Sequence, residues 1–193
     1  MLILVRHGQT AANAAGLLLG RADLDLNDLG RRQAKALAAA VPNPTKVVSS
    51  PLRRCTETAD AFGVAVELDE RWIEVDYGEY DGLELAAVGA DVWKQWRTDR
   101  TYRPPGGETF EEVDARVWAV CDELVGDAAE GDVVVVSHVS PIKAAVAWAL
   151  GVGDGVAWRM FVDVASLTRI AVTDRGPVLR SFNEVHHLPT PAP

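Results

Sequence analysis

An arginine, a histidine and a glycine follow the first apolar run of the chain. The run, Leu2 to Val5, has the length and β-branched character typical of a buried strand. It is followed directly by Arg6, His7 and Gly8. A cation and an imidazole are poor choices for packing at such a point, whereas a glycine lets the backbone approach a ligand closely. These residue types together favour a phosphate-binding site.

This arrangement could also serve only to cap a strand, and the reason to prefer a site is that the pattern recurs. The second predicted strand leads into a helix start that carries Arg53 and Arg54. The valine-rich strand before His138 ends in the same way. Because ligands of parallel sheets bind beyond the carboxyl ends of the strands, we expect His7, Arg54 and His138 at one edge of the sheet.

The chemistry that such an edge supports is phosphoryl transfer. It requires cations and fixed donors for the non-bridging oxygens, a nucleophile in line with the leaving group and an acid for the departing oxygen. Neutral imidazole can attack phosphorus and form a phosphohistidine. The acidic stretch 70–82, with Glu74 and Asp76, offers the acid. No metal or other cofactor is expected.

These residues must be positioned by strands that alternate with helices. Strands are predicted at 2–5, 46–49, 64–68, 132–137, 160–163, 167–173 and 178–182. Helices are predicted from an Asn27 cap to about Ala40, from Pro51 after a Ser50 cap, from Leu83 to about Arg97, from Thr109 to Gly126 and from Pro141, after a Ser140 cap, to about Leu150. The alternation predicts an α/β fold with three layers and a mainly parallel central sheet.

The composition narrows the class of protein. The 193 residues, with 48% hydrophobic and 24% charged residues, are typical of a single globular domain over residues 1–193. Residues 189–193 are expected to form a flexible tail. No apolar run approaches the roughly 20 residues that span a bilayer, and the chain begins with the strand, so we expect a cytoplasmic protein. Cys55 and Cys121 are predicted to be buried thiols.

The charge of the chain limits its partners. A net charge of −9 argues against a nucleic-acid or anionic-membrane partner, so any phosphate site is a local basic pocket in an acidic protein. The late strands carry apolar residues that are compatible with a homodimer or with a covered sheet edge. The oligomeric state stays open.

Several motifs, in order, resemble those of the histidine phosphatase superfamily, the phosphoglycerate-mutase-like branch 1. They cover nearly the whole chain. They are Arg6-His7-Gly8-Gln9-Thr10 with Asn13, Ser49 to Ala59, Glu74 to Gly78, Gly107-Glu108-Thr109 and Ser137-His138. The resemblance implies a phosphoglycerate-mutase-like fold and a metal-independent phosphomonoesterase acting through a phosphohistidine. Detail around residues 137–143 and 163–167 is similar to α-ribazole-phosphatase-like actinobacterial members, which implies a small phosphorylated substrate.

The resemblance also implies a role for particular residues. His7 would be the phosphorylated nucleophile, and Glu74 the general acid and base, with Asp76 as its chemically plausible rival. Spacing alone does not distinguish Arg53 from Arg54, but the family pattern places the phosphate clamp at Arg54. His138 would stabilise the transferring group. The substrate-binding positions that the family implies are Arg6, Gln9, Asn13, Arg54 and His138.

Three other functions are alternatives to phosphomonoester hydrolysis. A phosphoglycerate mutase is disfavoured because Gln9 stands where mutases usually have glutamate. Leu17 and Leu19 also stand where many relatives have arginine and glutamine, so we expect a polar wall of the leaving-group pocket to be missing. A non-catalytic phospho-ligand-binding module would be expected to have lost the nucleophile or the acid. A metal hydrolase would need clustered carboxylate and histidine ligands that the chain lacks.

Overall fold

The computed structural model describes residues 1–188, except for the side chain of Asp154. Residues 189–193, for which the sequence predicts a flexible tail, lie outside the described residues. Six strands form one sheet in the order β3-β2-β4-β1-β5-β6. The strands are β1 (Leu2–Arg6), β2 (Lys46–Ser49), β3 (Val66–Leu68), β4 (Val133–Ser137), β5 (Leu167–Thr173) and β6 (Gly176–Glu184). The helices are α1 (Ala11–Ala14), α2 (Asp28–Ala40), α3 (Arg53–Asp60), α4 (Ala90–Thr98), α5 (Phe110–Glu130) and α6 (Val139–Leu150).

The sheet is mainly parallel, as the alternation of strands and helices predicts. Strands β3, β2, β4 and β1 run parallel to one another. Strand β5 is antiparallel to β1, and β6 is antiparallel to β5, so the last two strands form a hairpin at one edge. The four parallel strands therefore have their carboxyl ends at the same edge of the sheet.

Helices cover both faces of the central strands. As a result, every residue of β4 and nearly every residue of β1 is buried. Leu2 and Leu4 pack with α5 and α6 on one face. Ile3 and Val5 point to the other face, where they pack with α2 and α3. Both cysteines are buried and free, as predicted. Among residues 1–188 there is no helix of the length and apolar character that crossing a bilayer requires.

The backbone ladder continues past the ends of β1, β2 and β4. The N–H of His7 donates to the carbonyl of Ser137 at 3.0 Å, and the N–H of Ser50 donates to the carbonyl of Val136 at 3.0 Å. The segments that carry His7, Ser50 and His138 are therefore held side by side by backbone hydrogen bonds.

Two of the predicted helix starts that are wrong lie at this edge. Helix α3 begins at Arg53, not Pro51, because Ser50 still pairs with the sheet and its hydroxyl bonds the ring of His138. Helix α6 begins at Val139, and His138 rather than Ser140 occupies the cap position. Its first N–H groups are bound by a carboxylate from a distant part of the chain, which replaces the local cap.

Further boundaries also differ from the predictions. Helix α4 begins at Ala90 instead of Leu83, because residues 83–85 bond the backbone of the loop 16–18. Helix α5 runs past Gly126 to Glu130, where the burial of Ala128 outweighs a glycine penalty of about 1 kcal/mol.

The strands differ from the predictions at three places. Residues 160–163 form no strand, because side chains bind their backbone: Asn183 accepts from the N–H of Asp163, and Arg6 donates to the carbonyl of Val162. Strand β3 begins at Val66, later than predicted, and β6 is longer than predicted at both ends.

The loop after β1 packs against the first turn of α2 without intervening side chains. The carbonyl of Gln9 accepts from the N–H of Asn27 at 2.9 Å. A Cβ atom added at Gly8 would lie 2.5 Å from the carbonyl oxygen of Gly30, and one added at Gly30 would lie 2.2 Å from that of Gln9. Only glycine fits at these two positions, which fixes the backbone next to His7.

We predict opposite effects on stability for two glycine-to-alanine substitutions in helices. Gly30→Ala should lower the free energy of unfolding by about 1–3 kcal/mol, since the methyl group collides with backbone. Gly126→Ala is the control, because nothing lies within 4 Å of its added Cβ, and it should raise the same quantity by about 0.5–1 kcal/mol. Urea unfolding measures both, and equal effects would contradict the packing described for Gly30.

Candidate active site

A cavity of about 280 Å³ opens beyond the carboxyl end of β1, beside the start of α6. Its polar lining comes from Arg6, His7, Asn13, Glu74, Asp114, Ser140 and Lys143. Its larger apolar lining residues are Leu17, Leu18, Leu19, Tyr77, Leu85, Trp93, Phe110 and Trp158. Leu17 and Leu19, where many relatives have polar residues, are part of this apolar lining.

The imidazole of His7 is held in one tautomer. It is 3% exposed, and its Nδ1 lies 2.7 Å from the carbonyl oxygen of Gly8. Because a carbonyl oxygen only accepts, Nδ1 carries the hydrogen and Nε2 keeps its lone pair. Burial, and then the charges of Arg54 and Arg6, lower the pKa of His7 well below its usual 6.5. The ring is therefore a neutral base at neutral pH.

His138 lies beside His7 in the opposite tautomer. The two ring centroids are 5.1 Å apart at an angle of 61°. Arg54 donates its Nε–H to Nδ1 of His138 at 3.2 Å, so Nε2 carries the hydrogen and donates to Oγ of Ser50 at 2.8 Å. Burial, and then the charge of Arg54, lower the pKa of His138 well below its usual value. Both ring nitrogens are thus bound to protein groups.

Arg54 is fully buried, and it is the arginine of the pair that reaches His138. Its Nη1 and Nη2 donate to the carbonyls of Ala22 at 2.7 Å and Gly20 at 2.6 Å. A guanidinium has five N–H groups, and two of those of Arg54 have no acceptor in the described part of the chain. Arg53 instead pairs with Asp25 at 2.7 Å on the surface.

Arg6 and Asn13 present further donors to the cavity. The Nη1 of Arg6 donates to the carbonyl of Val162 at 2.6 Å, while its buried Nε has no partner within residues 1–188. The Oδ1 of Asn13 accepts from the N–H and the hydroxyl of Thr10, in the capping box that starts α1. The amide nitrogen of Asn13, a residue of the cavity lining, has no acceptor among the described residues.

Glu74 caps a helix that begins 65 residues later. Its Oε1 accepts from the N–H groups of Val75 at 2.9 Å and Ser140 at 3.1 Å, and its Oε2 accepts from the N–H of Val139 at 3.1 Å. The positive end of the α6 dipole favours a carboxylate at this place. Asp76 does not line the cavity, and its Oδ1 accepts from the N–H of Gly78 at 2.8 Å.

The structure brings four of the expected site residues to the cavity wall and places three behind or beside it. Arg54 and His138 contact each other behind His7. Gln9 does not line the cavity, because its Oε1 accepts from Nδ2 of Asn27 at 2.9 Å and so supports the start of α2. No group of three or more His, Cys, Asp or Glu side chains within residues 1–188 is arranged to hold a metal ion.

Three polar lining residues have no site role in the sequence prediction, and two of them lie on α6. Lys143 and Ser140 share a face of α6 with Val139 and Ala144, which also line the cavity. Residues 139, 140, 143 and 144 lie on one face by helical spacing, but the sequence shows this only if the helix is predicted to begin at Val139. The predicted start at Pro141 conceals it.

Known proteins are similar to this chain over nearly its whole length. The pattern of the histidine phosphatase superfamily (branch 1) matches residues 2–185. A glucosyl-3-phosphoglycerate phosphatase of Mycolicibacterium vanbaalenii is 39% identical over 166 residues, 78% of this chain and 74% of the relative. The structure of phosphoserine phosphatase from Entamoeba histolytica in complex with 3-phosphoglyceric acid has a TM-score of 0.89 at 26% identity, covering 97% of this chain and 98% of that one.

Some relatives are much longer than this chain. A bifunctional protein of Mycobacterium tuberculosis is 37% identical over 177 residues. Those residues make up 86% of this chain but 49% of the relative. The chain thus spans about half the length of the first curated relatives that it matches.

We predict that the two adjacent histidines differ in tautomer and are both neutral near pH 6.5. Long-range ¹H–¹⁵N spectra should show an unprotonated Nε2 in His7 and an unprotonated Nδ1 in His138. An ordinary histidine is half protonated at about pH 6.5, whereas the lowered pKa values delay protonation of both rings to lower pH. His7→Asn and His138→Asn assign the signals. Imidazolium signals at pH 6.5, or one shared tautomer, would contradict the hydrogen bonds described above.

Proposed function

Because the chain belongs to the histidine phosphatase superfamily, as its motifs predict, we propose that it is a metal-independent phosphomonoesterase. It hydrolyses a small phosphorylated metabolite through a phosphohistidine on His7. The observation that carries this proposal is the fixed tautomer of His7, whose Nε2 lone pair lies among donors that lack acceptors in the described residues. A phosphoryl group supplies the acceptors that such donors need.

In the first step the nucleophile attacks the bound phosphomonoester. The Nε of Arg6, the amide of Asn13 and the two remaining N–H groups of Arg54 bind the non-bridging oxygens. Nε2 of His7 forms the bond to phosphorus as the bond from phosphorus to the leaving oxygen breaks. The Nδ1–H bond to the carbonyl of Gly8 stabilises the charge that the ring acquires.

Glu74 donates the proton to the leaving oxygen. Its Oε1 already accepts two N–H groups, which occupy both lone pairs, whereas Oε2 accepts one. Oε2 is therefore the atom that carries the proton. In the second step a water molecule attacks phosphorus, Glu74 takes a proton from it, phosphate leaves, and His7 returns to its neutral form.

His138 acts from behind the nucleophile. Direct donation to the phosphoryl group would break the bond of its Nε2–H to Ser50. Its Nδ1 instead fixes the Nε of Arg54, which orients the free Nη hydrogens of that arginine. In this proposal His138 stabilises the transferring group through Arg54.

The substrate class follows from the relatives and the cavity. Relatives are named as phosphatases of glucosyl-3-phosphoglycerate and of phosphoserine, which are small phosphomonoesters. A cavity of about 280 Å³ has room for such a leaving group. The family match over residues 2–185 contains the whole sheet, which supports one phosphatase domain.

We predict that His7→Asn abolishes turnover. With p-nitrophenyl phosphate and a chelator present, the wild type should release phosphate, and the variant should be slower by about 10³-fold or more, because the nucleophile is lost. Rapid quenching with labelled substrate should trap acid-labile phosphate on the wild type alone. The matched control is His186→Asn, at an exposed histidine. Full activity of the His7 variant, or loss of wild-type turnover with chelator, would contradict the proposal.

We predict that Glu74→Gln is sensitive to the leaving group. Its kcat/KM for glycerol phosphate should fall by about 10²-fold or more, since an alkoxide must be protonated as it leaves. The fall for p-nitrophenyl phosphate should be much smaller, because that leaving group is stable as an anion. Asp76→Asn is the control and should show no such difference. Equal losses of Glu74→Gln on both substrates would mean that Glu74 only caps α6.

A further inference from the structure

Lys143 is a cation of the cavity wall that has no partner among the described residues. Its ammonium group has no hydrogen bond and no ion pair within 4.0 Å among the side chains that the structure describes. Other cations in the neighbouring elements are paired: Arg103 lies against Glu112, and Arg116 lies 2.8 Å from Glu108. Lys143 has no such carboxylate partner among the described residues.

The position of Lys143 relates it to the reacting groups. It lies on α6 one turn beyond Val139, whose N–H binds Glu74. Four residues of helix advance about 6 Å along the axis, and helical side chains lean towards the N-terminus. The ammonium is therefore near enough to the reaction centre to reach a group a few bonds away from the phosphorus atom.

Many of the side chains that line the cavity around Lys143 are apolar. The opposite walls carry Leu17, Leu19, Trp93 and Trp158, which offer no acceptor for an ammonium group. Burial lowers the pKa of Lys143 from its usual value, with Glu74 acting in the opposite direction. Lys143 is only partly buried. Because its ammonium group has no acceptor among the described residues, an anion that enters the cavity can bind it without displacing a protein partner.

The transferred phosphoryl group already has its own donors. Arg6, Asn13 and Arg54 supply N–H groups without acceptors around His7, as described above. The other charged side chain on the α5 wall, Asp114, is bound by Arg100 at 2.6 Å. An additional cation one helical turn away is suited to a different part of the substrate.

We propose that Lys143 determines specificity by binding a second anionic group, a carboxylate or a further phosphate, on the leaving group of the substrate. This inference rests on the proposed phosphatase function. It restricts the small metabolite to phosphomonoesters that carry another negative charge a few bonds from the ester oxygen. The apolar walls then contact the uncharged remainder of the leaving group.

Matched pairs of substrates test this role. O-phosphoserine differs from O-phosphoethanolamine by one carboxylate, and 3-phosphoglycerate differs from glycerol 3-phosphate by a carboxylate in place of a hydroxymethyl group. Fructose 1,6-bisphosphate and fructose 6-phosphate form the pair for a second phosphate. For each pair, the ratio of interest is kcat/KM for the member with the additional carboxylate or phosphate divided by kcat/KM for the member without it. In Lys143→Met this ratio should fall about 10- to 100-fold in at least one pair, as expected for one lost bond between charged groups.

Lys143→Arg should restore much of that ratio, and Lys94→Met, at an exposed lysine of α4, is the control for net charge. Inhibition by inorganic phosphate reports that each variant retains the site. An equal loss on every substrate, p-nitrophenyl phosphate included, would place Lys143 on the transferred phosphoryl group and overturn the proposal. Unchanged ratios in all pairs would also overturn it.

Failure of the proposed function has a different signature. If the wild type turns over none of the phosphomonoesters, the phosphatase assignment fails. Calorimetric binding of O-phosphoserine and O-phosphoethanolamine to the wild type and to Lys143→Met then tests Lys143 by itself. A preference of the wild type for the carboxylate-bearing ligand that is lost in the variant supports the role, and equal affinities refute it.

Discussion

Parallel pairing of β2, β4 and β1 is the constraint on which the site depends. Backbone hydrogen bonds join the end of β4 to His7 and to Ser50. The residues that follow β1, β2 and β4 are therefore separated by the ordinary distance between neighbouring strands. Neighbouring strands are separated by about 4.8 Å, and the rings of His7 and His138 are 5.1 Å apart. The distance between the two imidazoles is thus set by the sheet rather than by the side chains.

The second feature is a positive charge that the protein does not neutralise. In the described residues neither Arg6 nor Arg54 forms an ion pair, and both donate to neutral carbonyls instead. Glu74, the buried carboxylate nearby, is held by backbone N–H groups. Burial, and then the charge of these arginines, lower the pKa values of both imidazoles and keep them neutral. The arginines favour an anion, although the whole chain carries a net charge of −9.

The sequence predicts the parts of the fold that local rules control. Strands β1, β2 and β4 and the capping box at Thr109 follow from apolar runs and cap residues. The helix starts and site positions that are predicted wrongly lie where groups from distant parts of the chain form the hydrogen bonds that a local cap would otherwise form. Ser50 and Ser140 have the types of helix caps, but the first bonds His138 and the second is bound by Glu74. Gln9 has the right spacing for the site, yet Asn27 binds its amide, which only tertiary contact decides.

The polar groups and the apolar walls of the cavity come from different elements of the fold. Glu74 is bound to the first turn of α6, and His138 stands at the cap of the same helix, so the carboxylate and the second histidine are held by one rigid element. The apolar walls come from other segments, the loop 16–19 and residues 85–93 and 157–158. Substitutions there reshape the apolar walls of the cavity without moving the backbone that aligns His7. Lys143 lies on α6 itself, and its distance from Glu74 is fixed by helix geometry. The second anion that we propose for Lys143 would therefore be held at a fixed distance from Glu74, while the contribution of the walls can vary.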